Sequence, residues 1–145
     1  MSTSAQFDRS DLLAELEPLT RRPDFAARWR SFVRACSLLL LPRLPAEARA
    51  WVEAADAYEA GRSSPAELTA VRVLAWRHLE HHAAPLAEHS GLRAVMHRLW
   101  PDIGGDWYES ALHFVDCCED AGLLVEQWGS LLRDQFPGLA DDTWP

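Results

Sequence analysis

Apolar residues along this chain recur at helical spacing, and proline and glycine cut the pattern into seven segments. A first helix is predicted from about Arg9 to Glu17, ending at Pro18. A second starts near Asp24 and runs to Leu41, with Phe25, Trp29, Phe32, Val33, Cys36 and Leu40 on one face. Pro42 and Pro45 bracket a tight link. The third helix, about Ala46 to Ala60, turns Ala48, Trp51, Val52, Ala55 and Tyr58 inward, and Gly61 stands where a left-handed C-terminal cap is wanted. Ser64, Pro65 and Glu67 spell a capping box for a fourth helix that carries Leu68, Val71, Leu74, Ala75 and Leu79 toward Ala84. Pro85 breaks it. Ser90 is expected to cap a fifth helix with Leu92, Val95, Met96 and Leu99 inward, ended by Pro101.

Gly104 and Gly105 then form a turn, and Asp106 with Glu109 makes a second capping box. The sixth helix, Trp107 to Ala121, buries Trp107, Ala111, Phe114, Val115 and Cys118. Gly122 caps it, and Leu124, Trp128, Leu131, Leu132 and Phe136 define a seventh. No segment alternates with the period of a strand, and no hairpin dipeptide appears. The expectation is an all-α, single-domain bundle of about six to seven short helices, mostly antiparallel because the links are short. It spans residues 8–136 between a flexible N-terminus (1–7) and a flexible C-terminal tail (137–145).

Composition sharpens this picture. Hydrophobic residues are 48% of 145, enough for a core and against disorder. No apolar run approaches membrane length, and the N-terminus lacks a secretory pattern. Cys36, Cys117 and Cys118 form no C-x-x-C pair, so a reducing cytoplasm is the expected setting. All fourteen basic residues are arginine, and the net charge of −8 is uneven. Residues 1–49 carry +2, residues 50–98 carry −1, and residues 99–145 carry −9. A field of that sign repels nucleic-acid phosphate and attracts a cationic protein.

Four groups of residues invite a chemical reading. His78 and His82 lie one turn apart, a metal-ligand spacing, although the H-E-x-x-H order is missing; the alternative is that both edge the core. Glu109, His113, Asp116 and Asp120 line one side of the sixth helix opposite its apolar face. That stripe can be a solvated face, a binding face for a basic partner, or part of a divalent metal site combining His113 and Asp116 with His78 and His82. Cys117 follows His113 by one turn, which permits a thiol–imidazole contact, but no third group orients the pair, and packing is the plainer role. Arg21, Arg22, Arg28, Arg30 and Arg34 surround Trp29; salt bridging to the acidic sixth helix is preferred over nucleic-acid binding. No glycine-rich phosphate loop and no G-x-S-x-G elbow is present.

The stretch from Ala50 to Gly61, followed by Ser64-Pro65-Ala66-Glu67-Leu68 and Val71-Arg72, resembles a helix–glycine turn–helix unit of bacterial all-helical proteins. Those proteins carry an EAAxxYxxG helix end before an xEELxxAR helix start. Phe32 to Cys36 is similar to their upstream cysteine helix, and Gln127 to Gly138 to their closing LLRDxFG-like segment. Some proteins with this unit are regarded as immunity proteins of toxin systems, which implies binding rather than catalysis and supplies no cofactor and no catalytic residues. The expectation is therefore a non-catalytic protein that holds a basic partner through Glu109, Asp116, Glu119, Asp120 and Glu126, with Trp107 and Tyr108 as exposed anchors. Seven tryptophans in so short a chain also raise a homodimer, its interface an exposed tryptophan patch.

Overall fold

The computed structural model describes residues 8–100 and 106–137. The two flanking segments expected to be flexible, apart from Pro137, and the turn at Gly104 and Gly105 lie outside them. Among these residues seven α-helices follow in order: α1 (Arg9–Leu19), α2 (Phe25–Leu40), α3 (Ala46–Glu59), α4 (Pro65–His81), α5 (Leu86–Met96), α6 (Trp107–Asp120) and α7 (Val125–Gln135). Single 3-10 turns extend α2 at Leu41–Arg43 and α5 at His97–Leu99. The fold is an all-α bundle, and no described helix is long and apolar enough to cross a membrane.

Local chemistry sets most helix ends. The Ser64 hydroxyl accepts from Glu67 N at 3.1 Å while Glu67 Oε1 accepts from Ser64 N at 3.0 Å, the reciprocal box expected for α4. Asp106 caps α6 in one direction only, accepting from Tyr108 N and Glu109 N. Gly61 and Gly122 take φ of 77° and 105°, the left-handed cap that stops α3 and α6.

Three boundaries differ from the sequence pattern. α1 runs through Pro18 to Leu19: the missing proline N–H costs the helix one hydrogen bond close to its end, and Leu19 gains a buried seat. α4 stops at His81 rather than Ala84, since the residue before Pro85 is steered away from helical geometry. α5 then starts at Leu86, straight after Pro85, so Ser90 is a buried residue inside the helix and not its cap.

The buried side chains form two apolar clusters. The larger joins α1, α2, α6 and α7 with Ala94 of α5. Its center is aromatic: Trp29 stacks on Phe25 at 5.9 Å, and Phe114 meets Trp29 and Phe32 edge-on at 5.9 and 5.7 Å. The smaller joins α3 and α4 to Leu92, Val95 and Met96 of α5 and to Leu99. α5 thus serves both, and Leu44 packs against each.

α4 sits on the second cluster through Leu68, Ala75 and Leu79. Leu74, expected inward, is 61% exposed, because it lies about 100° round the helix from Ala75 and off that stripe. Val73 and Trp76 are exposed on the same helix.

A polar network ties α2, α3 and the turn after α5. Arg98 is buried, and its guanidinium meets Asp56 at 2.7 Å and Glu59 at 2.9 Å. Arg34 grips the same Asp56 with two nitrogens, at 3.0 and 3.3 Å. Burial alone would raise the Asp56 carboxyl, but hydrogen bonds from Arg34 and Arg98 hold it below its ordinary range.

Candidate partner-binding face and thiol–imidazole cluster

The asymmetry of charge resolves into a surface on α6 and α7. Glu109, His113, Asp116 and Asp120 are all exposed, as a stripe opposite the apolar side of α6 must be. Glu126 is exposed in the first turn of α7. Two of the five carboxylates expected to bind a partner are engaged within the fold. Asp116 is ion-paired and hydrogen-bonded to Arg9 of α1. Glu119 is half-buried, 3.1 Å from Arg9 Nε, and accepts from the Trp128 indole N–H at 3.0 Å. Glu119 therefore clamps α1, α6 and α7 together. Glu109, Asp120 and Glu126 stay turned outward.

The expected aromatic anchors are placed differently. Trp107 and Tyr108 are half-buried, and Trp107 packs edge-on against Phe25 at 5.3 Å. Both belong to the margin of the larger cluster, because the first turn of α6 lies over it. The large apolar residue on this surface is Leu124, 62% exposed in the link between Asp120 and Glu126. It precedes α7, where its backbone N–H donates to Gln127 Oε1 at 2.8 Å.

Three of the arginines near Trp29 find partners away from α6. Arg22 and Arg28 pair with Asp24, Arg28 also donates to the Gln135 carbonyl, and Arg34 pairs with Asp56. The bridge from an arginine to the acidic helix exists, but Arg9 makes it.

Beside the stripe lies a cluster that the sequence only half disclosed. The Cys117 thiol is 3.8 Å from His113 Nε2, one turn away as the spacing allows. The other ring nitrogen of His113, Nδ1, meets His97 Nε2 at 2.9 Å. His97 is the orienting group missing from the sequence argument. One signal pointed to it: His97 and His113 stand equally far before and after Gly105, so two antiparallel helices joined there bring them level. Such a line can pass a proton from sulfur to one imidazole and on to the next. Its resting state is neutral throughout. Burial pushes the Cys117 thiol up. Burial, then the neighboring His113 and Arg93, pushes His97 down to about 4, and burial and Arg93 lower His113 as well. A protonated thiol beside neutral imidazoles is a poor nucleophile. Cys118 packs against Cys36 in the core, where burial and that neighbor hold its thiol well above the ordinary range.

The histidines of α4 stand apart from this cluster. His78 and His82 stack at 4.2 Å, His78 also meets Trp51 edge-on, and His82 Nδ1 lies 3.0 Å from the His78 carbonyl. His113 meanwhile contacts His97, and Asp116 contacts Arg9. Among the described residues, no three His, Cys, Asp or Glu side chains are arranged to hold a metal ion. Comparison with protein-family models, curated proteins and solved structures gave no match.

Proposed function

We propose that this chain is a non-catalytic protein-binding protein, an immunity or accessory protein that holds a basic bacterial protein through the outer side of α6 and α7. One observation carries the reading. Glu109, Asp120 and Glu126 are exposed, and the strongly exposed Leu124 lies between the last two. Long-range attraction from a segment at −9 speeds encounter with a cationic partner, and an apolar side chain inside a charged rim supplies contact once docked. The neutral thiol and imidazoles weigh against a nucleophilic role. The resemblance of residues 50–72 and 127–138 to bacterial all-helical proteins, some of them regarded as immunity proteins, points the same way. Three free thiols fit a cytoplasmic setting.

The test leaves the Arg9 clamp intact. Asp120→Arg with Glu126→Arg should slow association with a partner isolated by affinity capture by about tenfold at low salt, with the deficit shrinking as salt rises. Association unaffected by the double reversal would remove α6 and α7 from the interface.

A second reading has its own observation. Val73, Leu74 and Trp76 are exposed together on α4, and Leu86 is exposed at the start of α5. Self-association through this face would cover them, giving a homodimer. Light scattering across a concentration series should then show a dimer that Leu74→Glu dissociates. A constant monomer mass rejects this reading.

A further inference from the structure

α6 carries a nitrogen and a sulfur ligand on one side, and the fold holds both in place. His113 and Cys117 stand one turn apart, so their side chains share a face. Cys117 is 6% exposed, whereas His113 is exposed and leaves a way in from solvent. His97, in the turn after α5, packs edge-on against Phe114 at 5.3 Å, and its Nε2 meets His113 Nδ1 at 2.9 Å. When His113 donates from Nδ1 to His97, the lone pair on its Nε2 faces the Cys117 sulfur. Histidines that bind metal ions nearly always donate their other N–H in this manner.

The gap between the two atoms suits an ion. His113 Nε2 and Cys117 Sγ are 3.8 Å apart. Bonds of about 2.0 Å to nitrogen and about 2.3 Å to sulfur span that gap at an angle of about 120°. The shorter bonds of a two-coordinate ion open the angle toward a straight line. Ligand number and type then select the ion. Structural zinc takes four ligands, and among the described residues no three His, Cys, Asp or Glu side chains converge. Asp116, the carboxylate next to Cys117 in sequence, is held by Arg9. Two ligands, one of them a soft thiolate, suit monovalent copper, a filled-shell ion that takes linear coordination. Charge agrees. Arg93 and Asp120 act on the thiol with opposite signs, and Asp116 is paired. One thiolate cancels one positive charge, so a monovalent ion leaves this half-closed place neutral and a divalent ion leaves it charged.

We propose that His113 Nε2 and Cys117 Sγ form a two-coordinate site for copper(I). Binding breaks the Cys117 S–H bond, releases that proton to solvent, and forms one S–Cu and one N–Cu bond. Copper stays monovalent, so nothing is oxidized or reduced. The site goes beyond the partner-binding reading of α6 and α7 and does not rest on it.

Copper(I) itself is the probe, supplied with ascorbate under argon to the full chain and titrated against a colored copper(I) chelator. The chain should retain one equivalent, and X-ray absorption at the copper edge should show one sulfur and one nitrogen neighbor. His113→Gln and Cys117→Ser should each weaken retention by at least about a hundredfold, since each removes a ligand rather than a group behind one. An excess of zinc(II) of about tenfold should not displace the copper. If Cys117→Ser does not fold, His113→Gln, made at an exposed position, decides alone. Undiminished affinity in either folded variant would put the copper elsewhere, on Cys36 or Cys118, and overturn the proposal. Displacement by zinc, two sulfur neighbors, or no retained copper would overturn it as well.

Discussion

Replacing Asp56 with alanine is expected to lower the unfolding free energy by about 3 kcal/mol, measured by denaturant titration at neutral pH. The reason lies in its partner. The Arg98 side chain is almost wholly removed from solvent, and its charge is met by Asp56 at 2.7 Å and Glu59 at 2.9 Å. Truncating Asp56 leaves a desolvated guanidinium with one carboxylate instead of two, and frees Arg34 from its two-point grip. The remaining Glu59, and the partial exposure of Asp56 itself, keep the loss at the lower end of what breaking a buried pair costs. Glu59→Gln should cost about 1 kcal/mol, because the amide still accepts a hydrogen bond and Asp56 still balances the charge. The sign of the pH effect follows from the depressed Asp56 carboxyl. Its contribution is complete above the ordinary value of 3.8 and disappears as the pH falls through the lower folded value. A loss under about 1 kcal/mol for Asp56→Ala, or one no larger than for Glu59→Gln, would show that Arg98 does not depend on this carboxylate.

His97 should make the fold acid-sensitive above the range in which carboxylates titrate. Its imidazole ionizes at about 4 in the folded chain against an ordinary 6.5. Between those values the unfolded chain takes up a proton that the folded chain refuses, so stability falls as the pH falls. The loss begins near pH 6.5, is complete near pH 4, and amounts to about 3 kcal/mol for a shift of this size. His113, also lowered, adds to the same slope. The variant His97→Gln keeps a polar group near His113 and removes the titration. Its stability between pH 6.5 and pH 4 should therefore decline less than that of the unaltered chain, by roughly the same 3 kcal/mol. Parallel stability curves for the two proteins would mean that His97 is protonated without penalty.

The sequence disclosed what depends on neighbors along the chain. Breakers and caps located seven helices, and the Ser64–Glu67 box is formed as written. The stripe on α6 was legible because periodicity assigns a side chain to a face before any partner is known. Where two local signals competed, as Pro85 and Ser90 did for the start of α5, the pattern could not rank them. It also could not say how wide a helix face the neighbors would cover, and so Leu74 was placed inward.

What stayed hidden was set by contacts between helices. The pairing of His97 with His113, the burial of Arg98 over Asp56, and the capture of Glu119 by Arg9 and Trp128 each need the fold in place before they exist. The candidate face was thus read correctly as exposed at Glu109, Asp116, Asp120 and Glu126, while the structural duty of Glu119 was invisible.

Two separate apolar clusters meeting at α5 give the molecule a parting line. Opening along it would lift the α3–α4 hairpin off Leu92, Val95, Met96 and Leu99, while the aromatic center around Trp29 stays dry. The Arg34–Asp56–Arg98 knot crosses that line, so polar contacts latch the seam alongside the apolar ones.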